Sequence, residues 1–166
     1  MIIWLIGMSG AGKTTIGQIL YQKIKTEHPN TVFLDGDMLR DVWGDHLGHD
    51  MEGRRKNAER FTRLCLMLDR QGIHVVAAIL SIFPEERRKN RDIFSRYFEV
   101  FIDTPMEELV RRDSKRLYAR AAAGEIKDVV GFDIPMPRTE TWDMIISAPA
   151  VLEDPHVIAA KIKERL

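Results

Sequence analysis

Five apolar residues, Ile2-Ile-Trp-Leu-Ile6, lead without a break into Gly7-Met-Ser-Gly-Ala-Gly-Lys13-Thr14, and this junction restricts the fold more than any other feature of the chain. The octet matches G-x-x-x-x-G-K-[ST], a turn whose glycines let successive backbone N–H groups close around an anion. A helix beginning at its end adds the positive end of its dipole. Lys13 then reaches the terminal phosphates of a nucleotide, and Thr14 offers a hydroxyl to a divalent cation. Gly7, Ser9, Gly10, Ala11, Gly12, Lys13 and Thr14 are therefore the candidate ATP-binding residues.

Apolar runs alternate with amphipathic ones along the rest of the chain. Strands are expected at Ile2–Ile6, Thr31–Leu34, Ile73–Ala78, Tyr97–Ile102 and Met144–Ser147. Helices are expected over Thr14–Ile24, Arg54–Arg70, Pro84 to about Ser95, in pieces from Pro105 through Ala123, and over Asp154–Leu166. Alternation of this kind predicts an α/β fold with a parallel sheet and helices on both faces. In the helix Arg54–Arg70, Phe61, Leu64 and Leu68 fall on one expected core face, and Cys65 reads as a core residue. The irregular stretch Gly124–Thr141 reads as an active-site loop. The chain of 166 residues fits one domain.

Lys plus Arg and Asp plus Glu number 25 each, so no net field draws the protein to a nucleic-acid polymer. The first apolar run is too short to span a bilayer and has no basic region before it, which argues against a membrane anchor or a signal peptide. A lone cysteine allows no internal disulfide and suits a reducing compartment, so a cytoplasmic location is expected.

The phosphate turn alone does not separate kinases from other nucleotide-binding proteins. No Asn-Lys-x-Asp guanine-reading motif occurs, and the D-x-x-G stretches at Asp41 to Gly44 and at Asp45 to Gly48 follow no strand. Transfer to a small acceptor is the simplest use of such a site. Asp35-Gly-Asp37 closes the second strand at the sheet edge where ligands gather. Asp37 is the candidate base and metal ligand with Thr14; Asp35 orients water, metal or acceptor. A plain turn before the next helix is the alternative reading of the tripeptide. Arg40, Arg54, Arg55 and Asn57 follow where an anionic acceptor needs them, although a solvated helix surface accounts for the same charges.

With these residues in view, the chain resembles the adenylylsulfate kinases, which phosphorylate the ribose 3′-hydroxyl of adenosine 5′-phosphosulfate. The resemblance rests on Leu34-Asp-Gly-Asp37 with Arg40, His46-Leu47-Gly48, Arg54 with Asn57, Gln71-Gly72 and Phe98-Glu-Val-Phe-Ile-Asp103. It extends to Arg112-Asp113 with Lys115, Leu117-Tyr118, and Gly124-Glu-Ile-Lys127 followed by Gly131 and Asp133. It implies a P-loop kinase fold with a five-stranded parallel sheet, a lid over about 112–140, and Mg2+ with ATP as donor. Thr15 and Arg112 join the implied ATP site. Asp35, Arg40, His49, Arg54, Asn57, Leu80, Ser81 and Lys127 make the implied acceptor site. Ser81 falls where the family has a serine associated with a phosphoenzyme, but direct in-line transfer is the expected chemistry, with Ser81 lining the site. Homodimer formation is left open.

Departures from the family pattern cluster around the acceptor's base. Met38 replaces an asparagine, His49 an aromatic residue, Ile79-Leu-Ser-Ile82 a Phe-Ile-Ser-Pro, and Pro135-Met-Pro137 a Pro-Tyr-Glu. The leading expectation for the acceptor is adenylylsulfate. The alternative is cytidine diphosphoramidate, the acceptor of a similar branch of kinases from surface-polysaccharide pathways. A nucleotide-binding module without turnover is the alternative of another class.

Overall fold

In the computed structural model, which describes residues 1–44, 47–113, 115–138 and 142–166, the first apolar run is a fully buried strand, β1 (Ile2–Ile6). It sits at the centre of a five-stranded, all-parallel sheet. The other strands are β2 (Thr31–Asp35), β3 (His74–Ile79), β4 (Tyr97–Asp103) and β5 (Met144–Ser147), in the order β2-β3-β1-β4-β5. β1 is covered on both faces. Ile3 and Leu5 point into one apolar cluster, and Ile2, Trp4 and Ile6 into the other, as the two-residue period of a strand requires.

The first cluster is closed by α1 (Lys13–Glu27), through Ile16, Leu20 and Ile24, and by α7 (Pro155–Lys163), through Ile158, Ala159 and Ile162. The second is closed by α3 (Met51–Arg70), whose Phe61 meets the Trp4 ring edge to face at 5.3 Å between centroids. α3 starts three residues before the expected Arg54, because the Asp50 carboxylate accepts from Gly53 N at 2.7 Å and caps it. Its buried stripe also differs from the expected one. Gly53, Asn57, Phe61, Cys65 and Asp69 recur every four residues, whereas Leu64 and Leu68 are only half-buried. Ridges of i, i+4 residues are the usual contact of a packed helix, which moves the line of burial by one residue toward Cys65.

A short helix that the sequence reading left out, α2 (Gly36–Val42), follows β2 directly. The remaining helices are α4 (Pro84–Ile93), α5 (Met106–Arg112) and α6 (Leu117–Ala122), with a 3-10 turn at Ala150–Leu152. Asp113 separates α5 from α6 by accepting from the N–H groups of Leu117, Tyr118 and Ala119. Among the described residues no helix is long and apolar enough to cross a membrane.

The register brings one set of loops together. Ile6 pairs with Ile79 and Phe101, and Asp35 pairs with Ala78, so the chain after β1, β2, β3 and β4 leaves the sheet at one edge. Gly7, Gly36, Leu80 and Thr104 all emerge there.

Candidate active site

At that edge the loop Gly7–Thr14 is packed from beneath. A side chain at residue 7 would stand 2.7 Å from the Ile102 carbonyl, and Gly12 has φ +95°, where an L side chain is strained. The loop's carbonyls are held by its own lysine and by groups distant in the chain. Lys13 Nζ donates to Met8 O at 2.8 Å, Thr104 Oγ1 to Ala11 O at 3.2 Å, and the Tyr118 hydroxyl to Ser9 O at 2.9 Å. Arg112 Nη1 lies 3.4 Å from Gly10 O while its Nε donates to Glu108 at 2.6 Å. Arg112 thus stands over the loop. Desolvation pushes the Lys13 ammonium down to about 8, with the charges of Asp37 and Asp35 acting against it. Thr15 is exposed on the first turn of α1.

The two aspartates take different places. Asp35 is buried and N-caps α2, its Oδ1 accepting from Asp37 N at 2.9 Å and Met38 N at 3.3 Å. Its Oδ2 accepts from the Thr14 hydroxyl at 2.7 Å. Asp37 projects into solvent and pairs with Lys115 from the segment between α5 and α6. Burial acts to raise the Asp37 carboxyl, but the Lys115 hydrogen bond and charge, with Lys13 and Arg40, outweigh it and hold the group below the ordinary carboxylate range.

Facing these aspartates are the basic residues of α2 and α3. Arg40 is buried and donates to Gly48 O at 2.8 Å. Arg54 Nη2 donates to Asp128 O at 2.7 Å, and its buried Nε has no hydrogen-bond partner. Burial and the neighbouring charge of Arg40 both lower the Arg54 guanidinium. Asn57 is buried with an unpartnered Oδ1. Two guanidiniums in mutual repulsion, one of them with an unpartnered buried Nε–H, are an arrangement that an anion would relieve. Arg55 is not part of it. Its guanidinium lies 4.3 Å over the Phe83 ring and pairs with Glu85 at 2.7 Å.

Lys127 and His49 are exposed, and Leu80 packs in a small apolar cluster with Ile82, Phe83 and Val130. The Ser81 hydroxyl accepts from Trp4 Nε1 at 3.2 Å, and its φ of +52° holds it in a left-handed turn after β3. Met38 is exposed, but Ile79 belongs to the core and Met136 is packed against it. Asp45 and His46, the start of one D-x-x-G copy and of His46-Leu47-Gly48, lie outside the described residues, as do Ser114 and residues 139–141 of the expected lid and loop.

Sequence reasoning attached no role to Thr104, Glu108, Lys115, Tyr118 or Asp133, each of which holds part of this edge. Tyr118 and Lys115 reach it across 109 and 78 residues of chain, separations that no local pattern encodes.

A model of the adenylylsulphate kinase family matches residues 1–147. The cytidine diphosphoramidate kinase of Campylobacter jejuni is 42% identical over 146 residues, 88% of this chain and 85% of that one. The adenylyl-sulfate kinase of Gloeothece citriformis is 40% identical over 133 residues, 80% of this chain and 76% of that one. Among solved structures, the APS kinase of Mycobacterium tuberculosis in complex with AMPPNP and APS superposes with a TM-score of 0.88 at 30% identity, covering 99% of this chain and 95% of that one.

Proposed function

This chain belongs to the adenylylsulphate kinase family, phosphotransferases with a hydroxyl acceptor, and from that premise we propose that it transfers the γ-phosphoryl group of ATP to the ribose 3′-hydroxyl of a nucleotide with an anionic tail. One observation carries the reading: Thr14 and Lys13 of the phosphate loop, Asp35 at the end of β2, Asp37 in the first turn of α2, and Arg40 with Arg54 converge on one sheet edge.

In this reading Lys13 neutralises charge that grows on the β and γ oxygens in the transition state. Gly7, Ser9, Gly10, Ala11, Gly12, Thr14 and Thr15 hold the phosphates, and Arg112 closes over the donor. Asp37 accepts the acceptor's proton as its oxygen attacks phosphorus. Arg40, Arg54, Asn57 and Lys127 bind the tail, His49 meets the base, and Leu80 and Ser81 line the wall. Residues 112–140 act as a lid of a single kinase domain.

The oxygen donors also fit a hard divalent cation. Among the described residues no cluster of three or more His, Cys, Asp or Glu side chains could hold a metal by itself. Mg2+ ordinarily takes one or two protein oxygens and completes its shell with phosphates and water. Thr14 and Asp37 would supply those oxygens, with Asp35 orienting the Thr14 hydroxyl. Bound there with ATP, Mg2+ supplies Lewis-acid neutralisation of the phosphates.

Two acceptors satisfy this chemistry. Adenylylsulfate is the expectation from the family resemblance. Cytidine diphosphoramidate is favoured by the residues around the base, where Met38 and His49 reach solvent and Ile79 and Met136 are drawn into the core. Likeness to the Campylobacter enzyme over 88% of the chain supports the same acceptor. We rank the cytidine compound first. Loss of one stacking partner is worth on the order of 1–3 kcal/mol, about ten- to a hundredfold in affinity, so the base can change while the reaction stays. With both acceptors offered at equal concentration to limiting enzyme and Mg·ATP, the 3′-phosphorylated cytidine product should dominate. A strong preference for adenylylsulfate would overturn the ranking and leave the kinase mechanism in place; failure of both acceptors would overturn the mechanism.

A further inference from the structure

Seven residues after Lys127 make a turn that is tied down from three sides. Asp133 Oδ2 accepts from Asp128 N at 2.7 Å and Oδ1 from Val129 N at 2.5 Å. Asp128 has φ +63°, an unfavourable backbone conformation for a non-glycine residue, and its carbonyl accepts from Arg54 of α3 at 2.7 Å. Val130 bridges Ile134, and Gly131 N donates to Ile134 O at 2.7 Å. Gly131, at φ +92°, presses so closely on the phosphate loop that an added Cβ would stand 2.6 Å from Met8 Sδ and 2.9 Å from Met106 Cε of α5. Val129 and Val130 are buried. The two peptide N–H groups that follow Lys127 are therefore both held by one carboxylate. The side chain that holds them is itself exposed.

We infer that Asp133 is a positioning residue for the acceptor: its carboxylate fixes the turn that carries Lys127, and Arg54 reads the same turn from the acceptor side. The inference rests on the assignment of Arg54 and Lys127 to the acceptor's anionic tail. A second consequence is that one rigid segment touches both the donor's phosphate loop, at Met8, and the acceptor's arginine. The carboxylate favours the turn by holding both N–H groups at its start. Asp128 in the left-handed region costs free energy that two charge-assisted hydrogen bonds offset.

The sign of the effect separates positioning from simple electrostatics. Asp133 is an anion near cations that would bind an anionic tail, so deleting its charge should tighten acceptor binding if only charge matters. If it positions, deletion loosens binding. The test is steady-state kinetics of Asp133→Asn and Asp133→Ala, varying cytidine diphosphoramidate or adenylylsulfate at saturating Mg·ATP and varying Mg·ATP at saturating acceptor, with thermal unfolding measured alongside. We expect Asp133→Ala to raise the acceptor KM about tenfold or more, with the ATP KM changed less than about twofold. Asp133→Asn keeps one carbonyl oxygen to accept one of the two N–H groups, so it should fall between wild type and alanine. An acceptor KM that stays or drops in both variants overturns the inference, as does a lowered Tm with unchanged KM. Should Asp133→Ala fail to fold, the isosteric Asn variant carries the test alone. Arg54→Ala is the control for the premise: if it raises the acceptor KM while the Asp133 variants do not, only the positioning role falls. If Arg54→Ala is also neutral, the acceptor assignment falls with it.

Discussion

Asp35 and Asp37 differ by two positions and by nearly everything in their surroundings. Asp35 is buried with both oxygens committed, one to the α2 cap and one to Thr14, so it cannot turn toward an acceptor without uncapping a helix. The Asp37 side chain is 72% exposed and meets only cations: Lys115 directly, Lys13 and Arg40 by their charge. In the proposed mechanism this asymmetry favours Asp37 over Asp35 as the base. Asp37→Asn should lower kcat by roughly two to four orders of magnitude while ATP still binds, because an amide accepts no proton and is a poor ligand for Mg2+. Single-turnover measurements with labelled ATP, beside a nucleotide-binding titration, check this; near-normal turnover would remove the need for a base at this position. The acidic pair itself was legible in the sequence from its place after the second strand, although only Asp35 ends β2 and Asp37 opens α2. Its division of labour was not, because it depends on Thr14 and Lys115, which lie 21 and 78 residues away in the chain.

α3 shows how an element places the residues proposed to bind the acceptor. It presents Arg54 and Asn57 one turn apart, and its first turn is pressed against the chain before it. A Cβ at Gly53 would lie 1.7 Å from the Leu47 carbonyl oxygen. Helix propensity favours alanine over glycine by about 1 kcal/mol. An overlap of this size overwhelms that gain, since neither backbone nor helix can give way by more than an ångström without moving Asp50, Arg54 or Gly48. Gly53→Ala should therefore destabilise the protein by about 1–3 kcal/mol in urea unfolding and raise the acceptor KM more than the ATP KM. A more stable variant with unchanged KM would show that α3 and residues 47–48 are not in contact. Periodicity announced α3 and placed Arg54 and Asn57 on it, yet it missed the first turn. Capping by Asp50 and the contact with Leu47 are tertiary facts about a glycine that reads, in sequence, only as a weak helix former.

Across the whole molecule, Asp69 joins parts that no single element contains. From the last turn of α3 it accepts from Ser95 N at 2.8 Å and Ser95 Oγ at 2.7 Å, and it lies 3.4 Å from the Met1 amino group at the start of β1. Burial acts to raise its carboxyl, and the Ser95 hydrogen bonds with the Met1 charge outweigh it, so the group ionises below its ordinary value. A carboxyl depressed on folding stabilises the protein above its unfolded pKa, and that stability is lost as pH falls through the folded one. Asp69→Asn should accordingly cost about 1–3 kcal/mol at pH 7, and the difference from wild type should shrink as the pH drops below about 4. Urea titrations of both proteins at several pH values measure it; a difference independent of pH would mean that the charge of Asp69 contributes nothing. At this scale the sequence alone determined the parallel α/β sheet, the phosphate loop and the edge at which ligands gather, because strand period, glycine spacing and the strand-turn-helix order are local and each admits one physical solution. Tertiary structure alone decided which groups hold that edge. Lys115 on Asp37, Tyr118 on Ser9, Arg54 on the turn fixed by Asp133, and the packing of Met136 against the cluster that holds Ile79 are contacts between distant segments, and they exist only once the sheet has brought its loops to one side.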